Sequence, residues 1–185
     1  MQEWNDVYFV SSNKHKYAEV KEILSSFGIR AGFFQTSLTE IQSNSLAEIA
    51  RIKALDAFSK CKKPIIIEDD ALIVESLGGF PGPYSSYVFD TIGNKGVVSL
   101  TKKNRNAKFC ATIFYCDRKK KPILFEGITP GKIAKKISSG GWGYDPIFIP
   151  QGKTKTYAQI PDKNTISHRY RALEKFASWF LRTQR

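Results

Sequence analysis

Pro64-Ile65-Ile66-Ile67 runs straight into Glu68-Asp69-Asp70, and this junction constrains the chain more than any other stretch. An apolar run without alternation reads as a strand buried on both faces, the kind covered by helices in α/β proteins. Three adjacent carboxylates repel one another, and an extended chain sends alternate side chains to opposite faces. We therefore expect the carboxylates at the C-terminal end of that strand, where open α/β sheets bind ligands. A divalent cation would relieve their repulsion, and Mg²⁺ prefers one or two carboxylates plus substrate phosphates. A solvated acidic turn is the plain alternative.

The segments before this junction alternate between strand and helix. Val7-Tyr8-Phe9-Val10 has a short buried-strand pattern. The polar turn Ser11-Ser12-Asn13-Lys14-His15-Lys16 follows, then a helix with Tyr17, Val20, Ile23, Leu24 and Phe27 on one face and Gly28 at its end. A strand that opens into a helix N-terminus is an anion site, because free N–H groups and the helix dipole point outward there. The phosphate-loop pattern GxxxxGK[ST] is absent, so this turn is not a P-loop. A second strand is expected over 30–34, then a polar loop over 37–45 carrying Glu40. A helix over 46–61 follows, with the stripe Leu46, Ile49, Ala50, Ala54, Ala57, Phe58 and Cys61. Lys53 falls on the edge of that stripe, where a lysine either snorkels to the rim or points into a site.

After the acidic cluster, 72–77 continues as a strand or an irregular segment, and Gly78-Gly79-Phe80-Pro81-Gly82-Pro83-Tyr84 is a rigid turn-rich loop. Residues 87–100 read as partly helical, and 101–108 as an exposed basic connection. Strands over 108–116 and 122–133 form an antiparallel pair around the basic tip Arg118-Lys119-Lys120-Lys121. Gly140-Gly141-Trp142-Gly143-Tyr144-Asp145-Pro146 cannot be regular helix. Its glycines allow close backbone approach to a ligand, and its aromatics offer a flat face for a ring. A strand is expected over 144–149. Lys163, Ser167, His168 and Arg169 then gather donors suited to phosphate oxygens and a base carbonyl. A final helix starts at Ser167, with Leu173, Phe176, Ala177, Phe180 and Leu181 as its stripe and Trp179 alongside.

At 185 residues the chain fits a single domain, 1–185, with room for a substantial core. Its net charge of +12 predicts polyanionic partners, either nucleic acid or phosphorylated small molecules. Cys61, Cys110 and Cys116 form no CxxC pair, and the last two lie roughly 20 Å apart along one expected strand. Such a set points to a reducing compartment. Met1-Gln2-Glu3-Trp4-Asn5-Asp6 lacks the basic start and apolar run of a signal peptide, and no apolar run approaches a membrane span. We expect a cytoplasmic protein without a membrane partner. A basic nucleic-acid-binding protein without catalysis is the rival reading, but it explains neither Glu68-Asp69-Asp70 nor Lys53.

Taken together, Ser11–Lys16, Glu68-Asp69-Asp70, Leu77–Tyr84, Trp142–Pro146 and Ser167-His168-Arg169 resemble the inosine triphosphate pyrophosphatase family in order and spacing across nearly the whole chain. The resemblance implies an α/β fold with an elongated mixed sheet flanked by helices, two lobes and a central cleft, usually as a homodimer. It implies Mg²⁺-dependent hydrolysis of non-standard purine nucleoside triphosphates (ITP, dITP, XTP) to the monophosphate and pyrophosphate. By motif position, the substrate is contacted by Ser11, Ser12, Asn13, Lys14, His15 and Lys16, with Ser11, Asn13 and Lys16 on phosphates. Glu40 and Asp69 serve the metal, and Asp69 is also the catalytic base. Lys53 and Lys163 meet the triphosphate, Asp70 contacts substrate, and Trp142, Gly143, Tyr144, Asp145, His168 and Arg169 form the nucleoside pocket. Arg169 and His168 carry donors for the O6 of a 6-keto purine, which implies selection against adenine. Three positions depart from the family pattern: Ser11-Ser12-Asn13 replaces Thr-Gly-Asn, Asp70 replaces Ser or Thr, and Trp142 replaces Phe.

Overall fold

A computed structural model describes residues 5–118 and 122–183. Met1 to Trp4 and the basic tip Lys119 to Lys121 lie outside the described residues. The fold is α/β: a six-stranded mixed sheet in the order β2-β1-β3-β4-β5-β6, with five α-helices. The strands are β1 (Val7–Ser11), β2 (Ala31–Gln35), β3 (Ile65–Val74), β4 (Asn106–Cys116), β5 (Ile123–Ile133) and β6 (Phe148–Pro150). The helices are α1 (Lys14–Ser26), α2 (Leu46–Cys61), α3 (Ser85–Thr91), α4 (Gly93–Leu100) and α5 (His168–Thr183). β1 pairs in parallel with both β2 and β3, with α1 connecting β1 to β2 and α2 connecting β2 to β3.

Local sequence accounts for the helix ends. Asn13 caps α1 by accepting from the N–H groups of His15 and Lys16 at 2.9 and 3.1 Å. Ser45 caps α2 by accepting from the N–H of Glu48 at 3.2 Å. α2 closes on Lys62, a left-handed residue with φ 55°. That non-glycine cap left no mark in the sequence.

The chain divides into two compact units. The first comprises Met1–Asp69, Ala111–Gly127 and Arg169–Arg185. One of its cores packs Ile66 of β3 with Val20, Ile23 and Leu24 of α1 and Leu173, Phe176 and Ala177 of α5. The other packs Ile65 and Ile67 with Ala50, Ala54 and Ala57 of α2. Successive residues of β3 therefore face different helices, α1 and α5 on one side and α2 on the other. The second unit comprises Asp70–Cys110 and Ile128–His168, with Leu72, Val74, Val97, Phe109, Tyr144, Phe148 and Tyr157 in its core.

Several expectations are corrected. β3 does not stop at Ile67. It runs ten residues, through Glu68-Asp69-Asp70 to Val74, because basic side chains compensate its carboxylates. The strand expected over 144–149 is a 3₁₀ turn, Asp145–Ile147, followed by the three residues of β6. Pro146 has no N–H to give a sheet ladder. Leu181 does not join the buried stripe of α5 and is 43% exposed. Arg105 is no free surface charge: its guanidinium donates to the carbonyls of Thr101, Ile133 and Ala134. All three cysteines are free, and burial pushes the thiols of Cys61 and Cys116 up, away from the reactive thiolate. No described helix is long and apolar enough to cross a membrane.

Candidate active site

In the first unit, β1 delivers the chain into the N-terminus of α1. Ser11 Oγ accepts from the N–H of Asn13 at 3.1 Å, and Asn13 Oδ1 takes two of the helix N–H groups. The turn is therefore partly satisfied from within, and its attraction for an anion rests on the helix dipole and on the Lys14 and Lys16 side chains. Ser12, Lys14 and His15 are exposed, whereas Ser11, Asn13 and Lys16 are half-buried.

The odd-numbered face of β3 carries Asp69 toward α2. There Lys53 Nζ donates to Asp69 Oδ1 at 2.7 Å and lies 2.9 Å from Glu40 Oε1. Lys53 is buried on this face, so it points into the site and does not snorkel outward. The Glu40 side chain is 71% exposed and that of Asp69 only 14%, so the open loop brings one carboxylate to the inner one. Two carboxylates converging on a single cation position form a hard oxygen donor set. In this structure the cation between them is the Lys53 ammonium, and a divalent ion sharing these oxygens with phosphate would bind beside it.

The even-numbered face of β3 carries Glu68 toward α1 and α5. Arg169 Nε donates to both Glu68 oxygens, at 3.0 and 2.8 Å, and Nη1 donates to Glu19 of α1. All three residues are buried. The Arg169 donors expected to read a base carbonyl thus stand in a buried acid–arginine–acid group tying three elements of this unit. Glu19 was missed because its sequence neighbours give it the look of an ordinary polar helix residue.

In the second unit, the 140–146 loop folds as a turn closed by the Asp145 N–H on the Trp142 carbonyl at 3.1 Å. Gly141 is obligatory, with φ +68° and a Cβ direction that would drive into Ala158 and Asp145. Asp145 is buried and forms an ion pair with Lys163, whose Nζ also lies 5.5 Å from the centre of the Trp142 ring. His168 is buried and stacks on Phe109 with ring centres 4.2 Å apart. Tyr144 is corrected as a stacking face. Its ring is buried between Phe89 and Phe109, and its hydroxyl donates to the Ser85 carbonyl at 2.7 Å. Burial, then the charges of Asp90 and Asp70, push that hydroxyl's pKa up and keep its proton on. Trp142 is the half-buried aromatic left to present a face, and Asp70 is half-buried too.

Comparison with known proteins narrows what such a lysine-bridged pair of carboxylates serves. The profile of the Ham1 family matches residues 7–179. A dITP/XTP pyrophosphatase of Methanopyrus kandleri is 44% identical over 179 residues, covering 94% of this chain and 95% of its own. A second dITP/XTP pyrophosphatase, from Methanosarcina mazei, is 40% identical over 178 residues, covering 95% and 97%. Among solved structures, a HAM1 protein from Coxiella burnetii superposes with a TM-score of 0.80 at 26% identity, covering 97% of this chain and all of the other. The chain belongs to the Ham1 family.

Proposed function

We propose that this chain hydrolyses non-standard purine nucleoside triphosphates, dITP, ITP and XTP, to the monophosphate and pyrophosphate, and so clears them from the nucleotide pool of the cytoplasm. The observation that carries the reading is Lys53 buried between Asp69 and Glu40. Glu40 and Asp69 would hold Mg²⁺. Bound there with phosphate oxygens, the ion would supply charge neutralisation at the reacting phosphate. Asp69 accepts the proton of the attacking water. The water oxygen bonds to the α-phosphorus as the α–β bridging bond breaks, and pyrophosphate departs with the bridging oxygen. Lys16, Lys53 and Lys163 balance phosphate charge, with Ser11, Ser12, Asn13, Lys14 and His15 forming the phosphate turn. Trp142 stacks on the purine within a pocket built with Gly143, Tyr144, Asp145 and Asp70. His168 and Arg169 are assigned to selection of the 6-keto purine. A panel of nucleoside triphosphates assayed with Mg²⁺, products resolved by chromatography, tests the reading. It predicts pyrophosphate plus monophosphate from dITP and XTP. Orthophosphate plus diphosphate overturns it.

The enzyme works as a homodimer in this reading. Six of the eleven large hydrophobics exposed among the described residues fall within 80–100: Phe80, Tyr84, Tyr87, Phe89, Ile92 and Leu100. That stretch carries only Asp90 and Lys95 as charges in a chain of net charge +12. Such a near-neutral apolar surface suits a second copy better than a polyanion. Tyr87→Glu, at a residue 70% exposed, should yield monomers by light scattering, and an unchanged dimer would refute this surface.

A further inference from the structure

Asn94, in the first turn of α4, lies outside every motif above. Its Nδ2 nonetheless donates to the carbonyl of Gly143 at 2.9 Å, across 49 residues of sequence. Gly143 has φ +57° and no atom within 4 Å of where a Cβ would stand, so nothing packs against that side of the turn. Its neighbours are held by their side chains, Tyr144 through the Ser85 carbonyl and Asp145 through Lys163. The Gly143–Tyr144 peptide, one residue beyond Trp142, is held through its carbonyl by Asn94.

The other end of the Asn94 amide shows what it is kept for. Oδ1 is buried without a hydrogen-bond partner among the described residues. A half-buried amide whose buried oxygen is unused is a poor choice for stability, since the unpaired acceptor carries a desolvation penalty. An apolar residue of the same size would remove that penalty at the expense of the Gly143 carbonyl, so what the asparagine adds is the fixed geometry of that carbonyl.

We propose that Asn94 is a positioning residue for nucleoside recognition: it fixes the 142–145 turn in the form that presents the Trp142 ring to the purine. This inference rests on reading that turn as part of the nucleoside pocket. Among the described contacts Asn94 touches neither the Lys53 centre nor Lys163, which reaches the turn through Asp145.

The experiment uses the full chain with Asn94→Leu, which keeps the size and loses the donor, and Asn94→Asp, which sets an acceptor against the Gly143 carbonyl. KM and kcat are measured on dITP, binding on dIMP and on inorganic tripolyphosphate, and stability by thermal midpoint. For both variants KM should rise about tenfold with kcat within about twofold, the worth of one fixed hydrogen bond. Binding of dIMP should weaken to match, and tripolyphosphate, held by Lys16 and Lys53 as well as Lys163, should lose much less. The midpoint of Asn94→Leu should stay close to that of the parent chain, since relief at Oδ1 offsets the lost donor to Gly143. Unaltered KM overturns the inference, as does parallel weakening of tripolyphosphate or a lowered midpoint with lost kcat. A wild-type chain that binds neither dIMP nor dITP overturns the functional reading itself. A wild-type chain that binds both, beside an unaltered Asn94→Leu, overturns this inference alone.

Discussion

Asp69→Asn lowers kcat on dITP by roughly 10²–10⁴-fold or more, because it removes the proton acceptor and a metal ligand together. The same substitution lowers the thermal midpoint measured without Mg²⁺. From the sequence, three adjacent carboxylates suggest the reverse, since removing one relieves repulsion. In the structure Asp69 pairs with the Lys53 ammonium at 2.7 Å, while Glu68 faces away toward Arg169. Neutralising Asp69 leaves a buried lysine with only the exposed Glu40 opposite it, at a cost of about 1–3 kcal/mol. Steady-state kinetics and calorimetry on the same preparation check both halves. Near-normal turnover would remove Asp69 from the chemistry. A raised midpoint would mean that Lys53 and Asp69 are not paired in solution.

Arg169→Ala destabilises the chain by about 3–5 kcal/mol, the usual result of deleting one partner of a buried ionic group. For a chain of this size that lowers the midpoint on the order of 6–20 °C. The substitution leaves Glu19 and Glu68 as two buried carboxylates with no guanidinium between them. Arg169→Lys does not rescue it, because a single ammonium cannot reproduce the forked contact with both Glu68 oxygens. Loss of activity in Arg169→Ala therefore says nothing about base recognition. A charge-free triple variant, Glu19→Gln, Glu68→Gln and Arg169→Met, removes the uncompensated charges together. Its dITP-to-ATP ratio of kcat/KM should collapse toward unity if Arg169 reads the purine. An unchanged ratio in a folded triple variant makes Arg169 structural alone, whereas a stable Arg169→Ala would dissolve the buried group altogether.

Where local chemistry decides a feature, the sequence is a reliable guide. The bounds of α2 were legible to the residue, because Ser45 is a cap and the apolar stripe stops at Cys61. The turn into α1 was legible for the same reason, through Asn13. The path of β3 was not. Three consecutive acids look like the end of a buried strand, and the groups that allow it to continue come from 16 residues away in Lys53 and 101 away in Arg169. The aromatics of the glycine-rich loop show the same limit. Trp142 and Tyr144 look equivalent in sequence, and only the distant Ser85 carbonyl and the ring of Phe89 assign Tyr144 to the interior. Asn94 gave no signal at all, since one asparagine near the start of a short helix is unremarkable without Gly143 in view.

The isoleucine triplet of β3 is degenerate as an address. Both faces of Ile65-Ile66-Ile67 are equally apolar, so within the triplet a slip by one residue exchanges one isoleucine for another. Hydrophobicity holds the strand in the sheet but leaves its phase open. The phase is set by chemistry that is not interchangeable. A slip would offer Arg169 the shorter arm of an aspartate in place of Glu68, and would present Lys53 with the wrong member of the acidic trio. In β3 the two ionic contacts thus act chiefly as an index mark, locking the frame in which Asp69 and no other carboxylate meets Lys53.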